Sequence, residues 1–131
     1  MICNFMFKSV LLYGAETWSL YEDDRRRINT AEMDALRRSA RISKLDRKTK
    51  EYIREKMDAP DTIMNEITRK QLIWYGHVER MNPTRLPKIM INWKPEGKKI
   101  RGRPRRTWKD TLYTAISERS LRMGEWNNRR Q

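Results

Sequence analysis

Cysteine and histidine are nearly absent from this sequence of 131 residues, which has one of each, Cys3 and His77. A single cysteine excludes an internal disulfide, and the two residues together cannot supply the ligands of a zinc finger or a zinc knuckle. We therefore expect neither a metal nor a cofactor. The low cysteine content also favours a reducing, intracellular setting.

Long hydrophobic runs are missing as well. The most apolar stretch, residues 2–13, contains Lys8 and is too short to span the roughly 30 Å hydrocarbon core of a bilayer. It lacks the basic flank before it and the small-residue cleavage site after it that a signal peptide has. We expect no membrane partner, and we expect that so apolar a start belongs to a larger packed unit.

Aliphatic residues and phenylalanine are scarce. Leucine, isoleucine, valine and phenylalanine make up 24 of the 131 residues. That share lies below the roughly 20% at which a high net charge begins to favour disorder. Eight methionines, five tryptophans and five tyrosines partly compensate. We expect a thin core built from ordered helices, with irregular solvated segments between them, and a chain of this length excludes a large enzyme.

Positive charge, in contrast, is abundant. Lysine and arginine number 30 against 17 acidic residues, so the formal net charge is +13. Residues 85–109 hold ten basic residues and one acidic residue, a net charge of +9. A block of this density gains most by neutralising a polyanion and releasing its counterions. Nucleic acid, either RNA or DNA, is the expected partner, no small-molecule substrate is indicated, and a solvated basic linker is the alternative.

The spacing of apolar residues predicts a mainly α fold, a small bundle of about four helices. Residues 5–18 are expected to form a helix broken near Gly14, or a short strand. Further helices are predicted over residues 22–43, over residues 49–57, and from residue 61 or 62 to just before Pro83. Thr107 and Asp110 have the spacing of a capping box and predict the start of the last helix.

Proline and glycine punctuate the basic block. Four prolines and two glycines between residues 82 and 106 exclude one continuous helix. We therefore predict a basic, extended connector there, with one short edge strand through Leu86, Ile89, Ile91 and Trp93. The predicted division is an apolar, thumb-like segment over residues 1–20, a helical region over 21–81, the connector over 82–106, and a terminal helix and tail over 107–131.

Two possible catalytic motifs are interpreted as structural. Residues 21–24 read YEDD, which resembles the paired carboxylates of polymerases, but three arginines and a helical pattern follow, and no third carboxylate can be assigned. We interpret them as acids at a helix N-terminus. His77 follows Gly76 and has no identifiable nucleophile or acid, so we interpret it as a packing or hydrogen-bonded residue at a helix kink. No catalytic residue is predicted.

The most specific local signal is RGRPR at residues 101–105. Glycine and proline keep such a chain extended and close to a groove floor, which resembles an AT-hook core, so the arginines either enter a minor groove or contact phosphates. Trp93 and Trp108 flank the block and either stack on unpaired bases or belong to the core. The predicted nucleic-acid-binding residues are Lys94, Lys98, Lys99, Arg101, Gly102, Arg103, Pro104, Arg105 and Arg106.

Three motifs, in this order, carry a resemblance to a known family. Residues 12–18 read LYGAETW, residues 74–81 read WYGHVERM, and RGRP at residues 101–104 is followed by Trp108 and Asp110. In this combination, over residues 8–130, the chain resembles the thumb and post-thumb part of the endonuclease and reverse transcriptase polyprotein of non-LTR retrotransposons.

The resemblance implies a polyprotein that copies element RNA into DNA at a nicked target, with its catalytic aspartates and its endonuclease upstream of residue 12. The chain itself is then expected to be a non-catalytic, nuclear fragment that binds template RNA or target DNA. Two alternatives stay open. One is a helical module that packs on the polymerase domain, and the other is a decayed element remnant.

Overall fold

The structure, a computed structural model, describes residues 8–94, 96–97, 101–102 and 106–121. These residues are mainly helical and contain no strand, which confirms the predicted fold class. Their helices of seven or more residues are α1 (Glu22–Ala40), α2 (Lys50–Lys56), α3 (Ile63–Glu79), α4 (Leu86–Asn92) and α5 (Trp108–Glu118). Residues 8–12 are also helical, and 3-10 turns cover Ala15–Thr17 and Lys44–Asp46. No helix in these ranges is long and apolar enough to cross a bilayer.

Side-chain caps begin the helices where the sequence predicts them. The hydroxyl oxygens of Thr49, Thr62 and Thr107 each accept a hydrogen bond of 3.1 to 3.3 Å from the amide three residues later. At the start of α1, the Tyr21 amide donates to Asp24 Oδ2 over 3.1 Å. The acids of residues 22–24 therefore lie in the first turn of α1, as predicted, where they complement the positive end of the helix dipole.

Helix α3 is the centre of the bundle, and it packs on the Ala15–Thr17 turn, α1, α4 and α5. Among the described residues, the buried apolar side chains form three clusters. One surrounds Ile63 and Ile67 of α3, one joins Leu36 of α1 to Ile53 of α2, and one joins Tyr75 of α3 to Leu112 of α5. The core is divided into small parts, as the scarcity of aliphatic residues leads one to expect.

Two buried polar side chains fix how the elements meet. Gln71 of α3 donates from Nε2 to the Trp18 carbonyl oxygen over 2.9 Å. Glu32 of α1 is 2% exposed, and its Oε1 accepts hydrogen bonds from the Ile63 amide (3.3 Å) and from Arg54 of α2 (3.2 Å). Its second oxygen lies 3.0 Å from the other terminal nitrogen of Arg54. One carboxylate thus joins α1, α2 and the first turn of α3.

The short edge strand predicted through residues 86–93 is wrong, because residues 86–92 form helix α4. Pro87 lies in the first turn of this helix, where a missing amide costs no hydrogen bond. Leu86, Ile89, Met90 and Trp93 also follow one another at helical spacing. Part of the predicted extended connector is therefore helical, and the division of the chain into four segments stays a prediction.

Two glycines in the helical part of the chain behave differently. Gly14 has a φ of +66° and follows the helical residues 8–12, so the predicted break is confirmed. Helix α3, in contrast, runs through Gly76 without interruption, so the predicted kink is wrong. His77 lies exposed on the helix, which makes the packing role wrong, and the hydrogen-bonded alternative stays a prediction. Cys3 and residues 5–7 lie outside the described residues.

Candidate nucleic-acid interface

The two ends of the segment between α4 and α5 lie close together. Helix α4 ends at Asn92 and α5 begins at Trp108, and we call residues 93–107 the basic loop. It carries seven basic residues and one acidic residue, a net charge of +6. In the first turn of α5, Lys109 Nζ donates to Asn92 Oδ1 over 2.8 Å. This hydrogen bond holds the two ends of the basic loop together.

Four of the nine predicted binding residues belong to the described part of the chain. Lys94, Arg101, Gly102 and Arg106 are all exposed, as contact with a large partner requires. Gly102 has a φ of +133°, which glycine adopts readily and other residues rarely do. The other five predicted residues lie outside the described residues and stay predictions: Lys98, Lys99, Arg103, Pro104 and Arg105.

An apolar groove lies where the two ends of the basic loop meet. We call it the loop groove; its volume is about 630 Å³, and it is lined by α4, the start of α5 and side chains from both ends of the loop. Trp93 and Lys94 line it from one end, and Thr107 lines it from the other. The Trp93 side chain is 68% exposed. An exposed ring beside basic residues is suited to stacking on an unpaired base.

Trp108 packs on the core, which is the second of the two roles that the sequence left open for Trp93 and Trp108. Its Nε1 donates to the Glu16 carbonyl oxygen over 3.1 Å. Its ring stands edge-on to those of Trp74 and Tyr75, with centroid distances of 5.3 and 6.2 Å, a favourable aromatic geometry. Trp108 therefore packs on the core and anchors the start of α5. One side of it also lines the loop groove, where Trp93 is the more exposed ring.

One lysine of the +9 block supports the fold. Lys88 Nζ donates to the Glu79 carbonyl oxygen (2.6 Å) and to Glu79 Oε2 (2.7 Å), and both side chains are largely buried. These bonds join α4 to the end of α3. Since the Glu79 carboxylate neutralises it, Lys88 adds little to the positive potential of the surface.

Two titratable groups near the loop groove, Asp110 and Tyr75, have shifted pKa values. Hydrogen bonds from the amide and the hydroxyl of Thr107 to Asp110 hold the pKa of this carboxyl below its ordinary 3.8. Burial, followed by the charge of Glu79, raises the pKa of Tyr75, so this phenol stays neutral. In the ranges that the structure describes, no three His, Cys, Asp or Glu side chains are grouped to hold a metal ion.

A second concentration of positive charge is not apparent from the net charge of residues 1–84, which is only +3. Residues 37–50, which we call the basic turn, link α1 to α2 and contain seven basic residues and one acidic residue, a net charge of +6. Acidic residues before and after it lower the average. A charge count in short windows along the chain is the signal that finds it.

No known protein family and no solved structure matches this chain. The chain is similar to an uncharacterised transposon-derived protein of Caenorhabditis elegans, with 26% identity over 122 residues. The similarity covers 87% of the chain and 44% of the relative, so the chain spans less than half of the relative's length. It indicates a transposon-related origin, which is the coarser part of the predicted resemblance.

Proposed function

We propose that this chain is a nucleic-acid-binding module from the C-terminal part of a non-LTR retrotransposon reverse transcriptase. It binds template RNA or target DNA through the basic loop, has no polymerase or endonuclease activity of its own, and acts in the nucleus. Similarity to a transposon-derived relative supports the origin. The observation that carries the binding role is the closure of the basic loop at a groove with an exposed tryptophan.

The joined ends of the basic loop support phosphate binding, because they attach a segment of high positive charge to one place on the helical body. The hydrogen bond between Lys109 and Asn92 holds together the ends of a segment with a net charge of +6. Lys94, Arg101 and Arg106 are exposed along it. Like charges brought together repel one another, and a phosphate backbone removes that repulsion while it releases counterions.

Trp93 supports a preference for unpaired bases. Its ring is 68% exposed at the loop groove, next to Lys94. Stacking of one base on such a ring contributes about 1 to 3 kcal/mol, and it tolerates any base because each has a π-face. A stacked base beside a lysine-bound phosphate is the contact that we propose for single-stranded RNA or DNA.

The role of the loop is tested by fluorescence anisotropy with labelled oligonucleotides at several salt concentrations. The variant Arg101→Ala with Arg106→Ala should reduce the log–log salt slope for duplex binding by about 1.8, the equivalent of two phosphate contacts. Lys56→Ala with Arg69→Ala removes two exposed cations from α2 and α3 and should leave the slope unchanged. Equal effects of the two pairs would show that the loop has no special role. Loss of an AT-rich preference in the loop variant would identify minor-groove contact.

The role of the ring is tested with single-stranded oligonucleotides. Trp93→Ala should weaken binding by about tenfold, within the range measured for base stacking, and Trp93→Phe should retain most of the affinity. The free energy of unfolding should not change, because the ring is exposed. Ile73→Ala removes another exposed apolar side chain, 62% exposed on α3, and serves as the control. Unchanged affinity of Trp93→Ala would exclude stacking and leave phosphate binding intact.

A second candidate function, a helical assembly module, is favoured by the exposed face of α4. Leu86, Ile89 and Met90 of this helix and Trp93 directly after it form a stripe, and each residue is between 48% and 69% exposed. An apolar stripe on a helix ordinarily packs on another element. The chain spans 44% of its relative, and a longer polypeptide would provide such an element. The occupant that we propose for this role is the polymerase domain.

Assembly is tested by mixing the chain with a reverse transcriptase domain from the same type of element, without nucleic acid. Helicity and thermal stability should rise, and Leu86→Glu with Met90→Glu should abolish the gain. Ile73→Glu, on the exposed side of α3, should retain it. If the wild-type chain gains nothing on mixing, the assembly role is wrong, and nucleic-acid binding is unaffected by that result.

A further inference from the structure

The basic turn and α1 enclose a cleft that is separate from the loop groove. Its volume is about 470 Å³, and the buried Met33 side chain lines it. Arg26 and Arg37 of α1 face it from one side, and Lys44 and Lys50 face it from the other. Asp34 is its only lining acid, so these side chains give the cleft a net charge of +3. We call it the turn cleft.

Ion pairs within the protein do not account for these cations. Lys44 lies 3.1 Å from Asp34, but the lysine side chain is 72% exposed, and such pairs contribute little in water. Arg26 lies 3.7 Å from Asp23, and both side chains are exposed. Lys50 is the first residue of α2, where a positive charge opposes the helix dipole. None of the three is held by a buried ion pair within the described part of the chain.

Arg37 is held in a geometry suited to an oxyanion. Its Nη2 donates to the Lys48 carbonyl oxygen over 3.1 Å, which fixes the guanidinium against the basic turn. Its Nη1 is buried and finds no hydrogen-bond acceptor among the described residues. A buried donor without an acceptor is costly, and one phosphate oxygen placed against Nη1 would remove that cost.

We propose that the turn cleft binds a phosphate group of a nucleic-acid backbone, as a second contact in addition to the basic loop. This inference rests on the proposed nucleic-acid-binding function. Arg37 provides the fixed donor, while Arg26, Lys44 and Lys50 supply charge around it. The Asn29 side chain, which also lines the cleft, adds an amide donor for phosphate or sugar oxygens. Such a contact carries no base specificity.

The test compares two variants of the full chain that each lose two positive charges. Arg26→Gln with Lys50→Gln removes cations of the turn cleft that make no buried contact. Lys56→Gln with Arg69→Gln removes exposed cations of α2 and α3 that lie outside the turn cleft. Binding of a labelled single-stranded oligonucleotide is measured by anisotropy across a salt series, and thermal unfolding is recorded for each variant. The same series is repeated with RNA, with DNA and with a duplex.

The cleft variant should reduce the log–log salt slope on single strands by about 0.7, because the cleft is proposed to bind one phosphate and each phosphate contact contributes about 0.7. The control variant should keep the wild-type slope. If the wild type binds and the two variants share its slope, the turn cleft is not a phosphate site, and the function of the basic loop stands. If the wild type binds no oligonucleotide at low salt, the proposed function itself is wrong, and the cleft inference falls with it.

Discussion

The basic turn and the basic loop carry the same net charge, +6, in segments of nearly equal length, but different contacts hold them. The turn is closed by its own residues, with Arg37 Nη2 donating to the Lys48 carbonyl oxygen and with capping by short side chains. Ser43 and Thr49 cap the elements that follow them, and Arg41 and Arg47 adopt left-handed conformations at its two bends. The loop is closed from outside, by the Lys109 bond to Asn92 and by the packing of Trp108.

This difference shows that charge density alone does not describe a binding surface. Local bonds give the turn a geometry that depends on α1 and α2, with the cations around one cleft. Contacts distant in sequence bring the ends of the loop together beside an apolar groove and an exposed ring. We therefore expect the turn to contribute phosphate contacts only, and the loop to contribute phosphate contacts and base stacking.

The largest expected effect comes from breaking the support of the basic turn. Glu32→Ala leaves Arg54 without its buried partner and removes the acceptor for the Ile63 amide, which should cost about 3 to 5 kcal/mol of unfolding free energy. Urea denaturation measures the change. Hydrogen exchange should quicken first in residues 41–57, ahead of α5.

The matched control for that prediction is Asp23→Ala. This carboxylate is 83% exposed and lies 3.7 Å from Arg26, so its removal should change the unfolding free energy by less than about 1 kcal/mol. A similar loss for Glu32→Ala and Asp23→Ala would contradict the view that one buried carboxylate joins α1, α2 and α3.

A somewhat smaller effect is expected from breaking the anchor of the basic loop. Trp108→Ala removes the bond to the Glu16 carbonyl oxygen and the edge-on contacts with Trp74 and Tyr75. Since the ring is half-buried, the loss of unfolding free energy should be about 3 kcal/mol, the low end for a large aromatic side chain. Near-wild-type stability in urea would show that Trp108 does not belong to the core.

A variant of the hydrogen bond that joins the ends of the loop tests the geometry of the loop without changing its charge. Asn92→Ala removes the acceptor for Lys109 and changes no charge, so the salt slope of binding should stay at the wild-type value. Affinity should fall by about two- to fivefold, the equivalent of one modest hydrogen bond. A changed slope with unchanged affinity would contradict the role assigned to loop closure. Anisotropy titrations measure both quantities.

The smallest expected effect is an acid sensitivity confined to the loop end of α5. Because the pKa of Asp110 is lowered in the folded chain, its contribution to stability is complete above the unfolded value near 3.8 and is lost as the pH falls through the lower, folded value. Asp110→Asn should therefore reduce the dependence of stability on pH below about 4. Parallel stability curves for the two proteins, from denaturation at several pH values, would show that the capping bonds contribute nothing.

Much of the helical fold follows from short-range signals in the sequence. Threonine at residues 49, 62 and 107 and the acids of residues 22–24 mark helix starts correctly, since capping depends on neighbours along the chain. Helix α4 was not predicted, because its proline and its neighbours favoured an extended segment. The spacing of Leu86, Ile89 and Met90 is that of one helix face, but so short an apolar run fits a helix or a strand.

The candidate site was predictable only in part. Lys94, Arg101 and Arg106 are exposed, and their role in binding stays a prediction. The bond between residues 92 and 109 that joins the ends of the loop is indicated by no motif. The burial of Glu32 could not be predicted from the sequence either, since a charged residue ordinarily lies on a solvated face. The net charge of residues 1–84 does not reveal the basic turn, because acidic residues on both sides of the turn balance its positive charge.

The salt dependence of nucleic-acid binding by the wild-type chain tests the central claim most directly. If the two basic regions together neutralise five or more phosphates of a duplex, the log–log slope should be about −4.5 or steeper. A slope near zero, or no binding to any oligonucleotide at low ionic strength, would contradict the account.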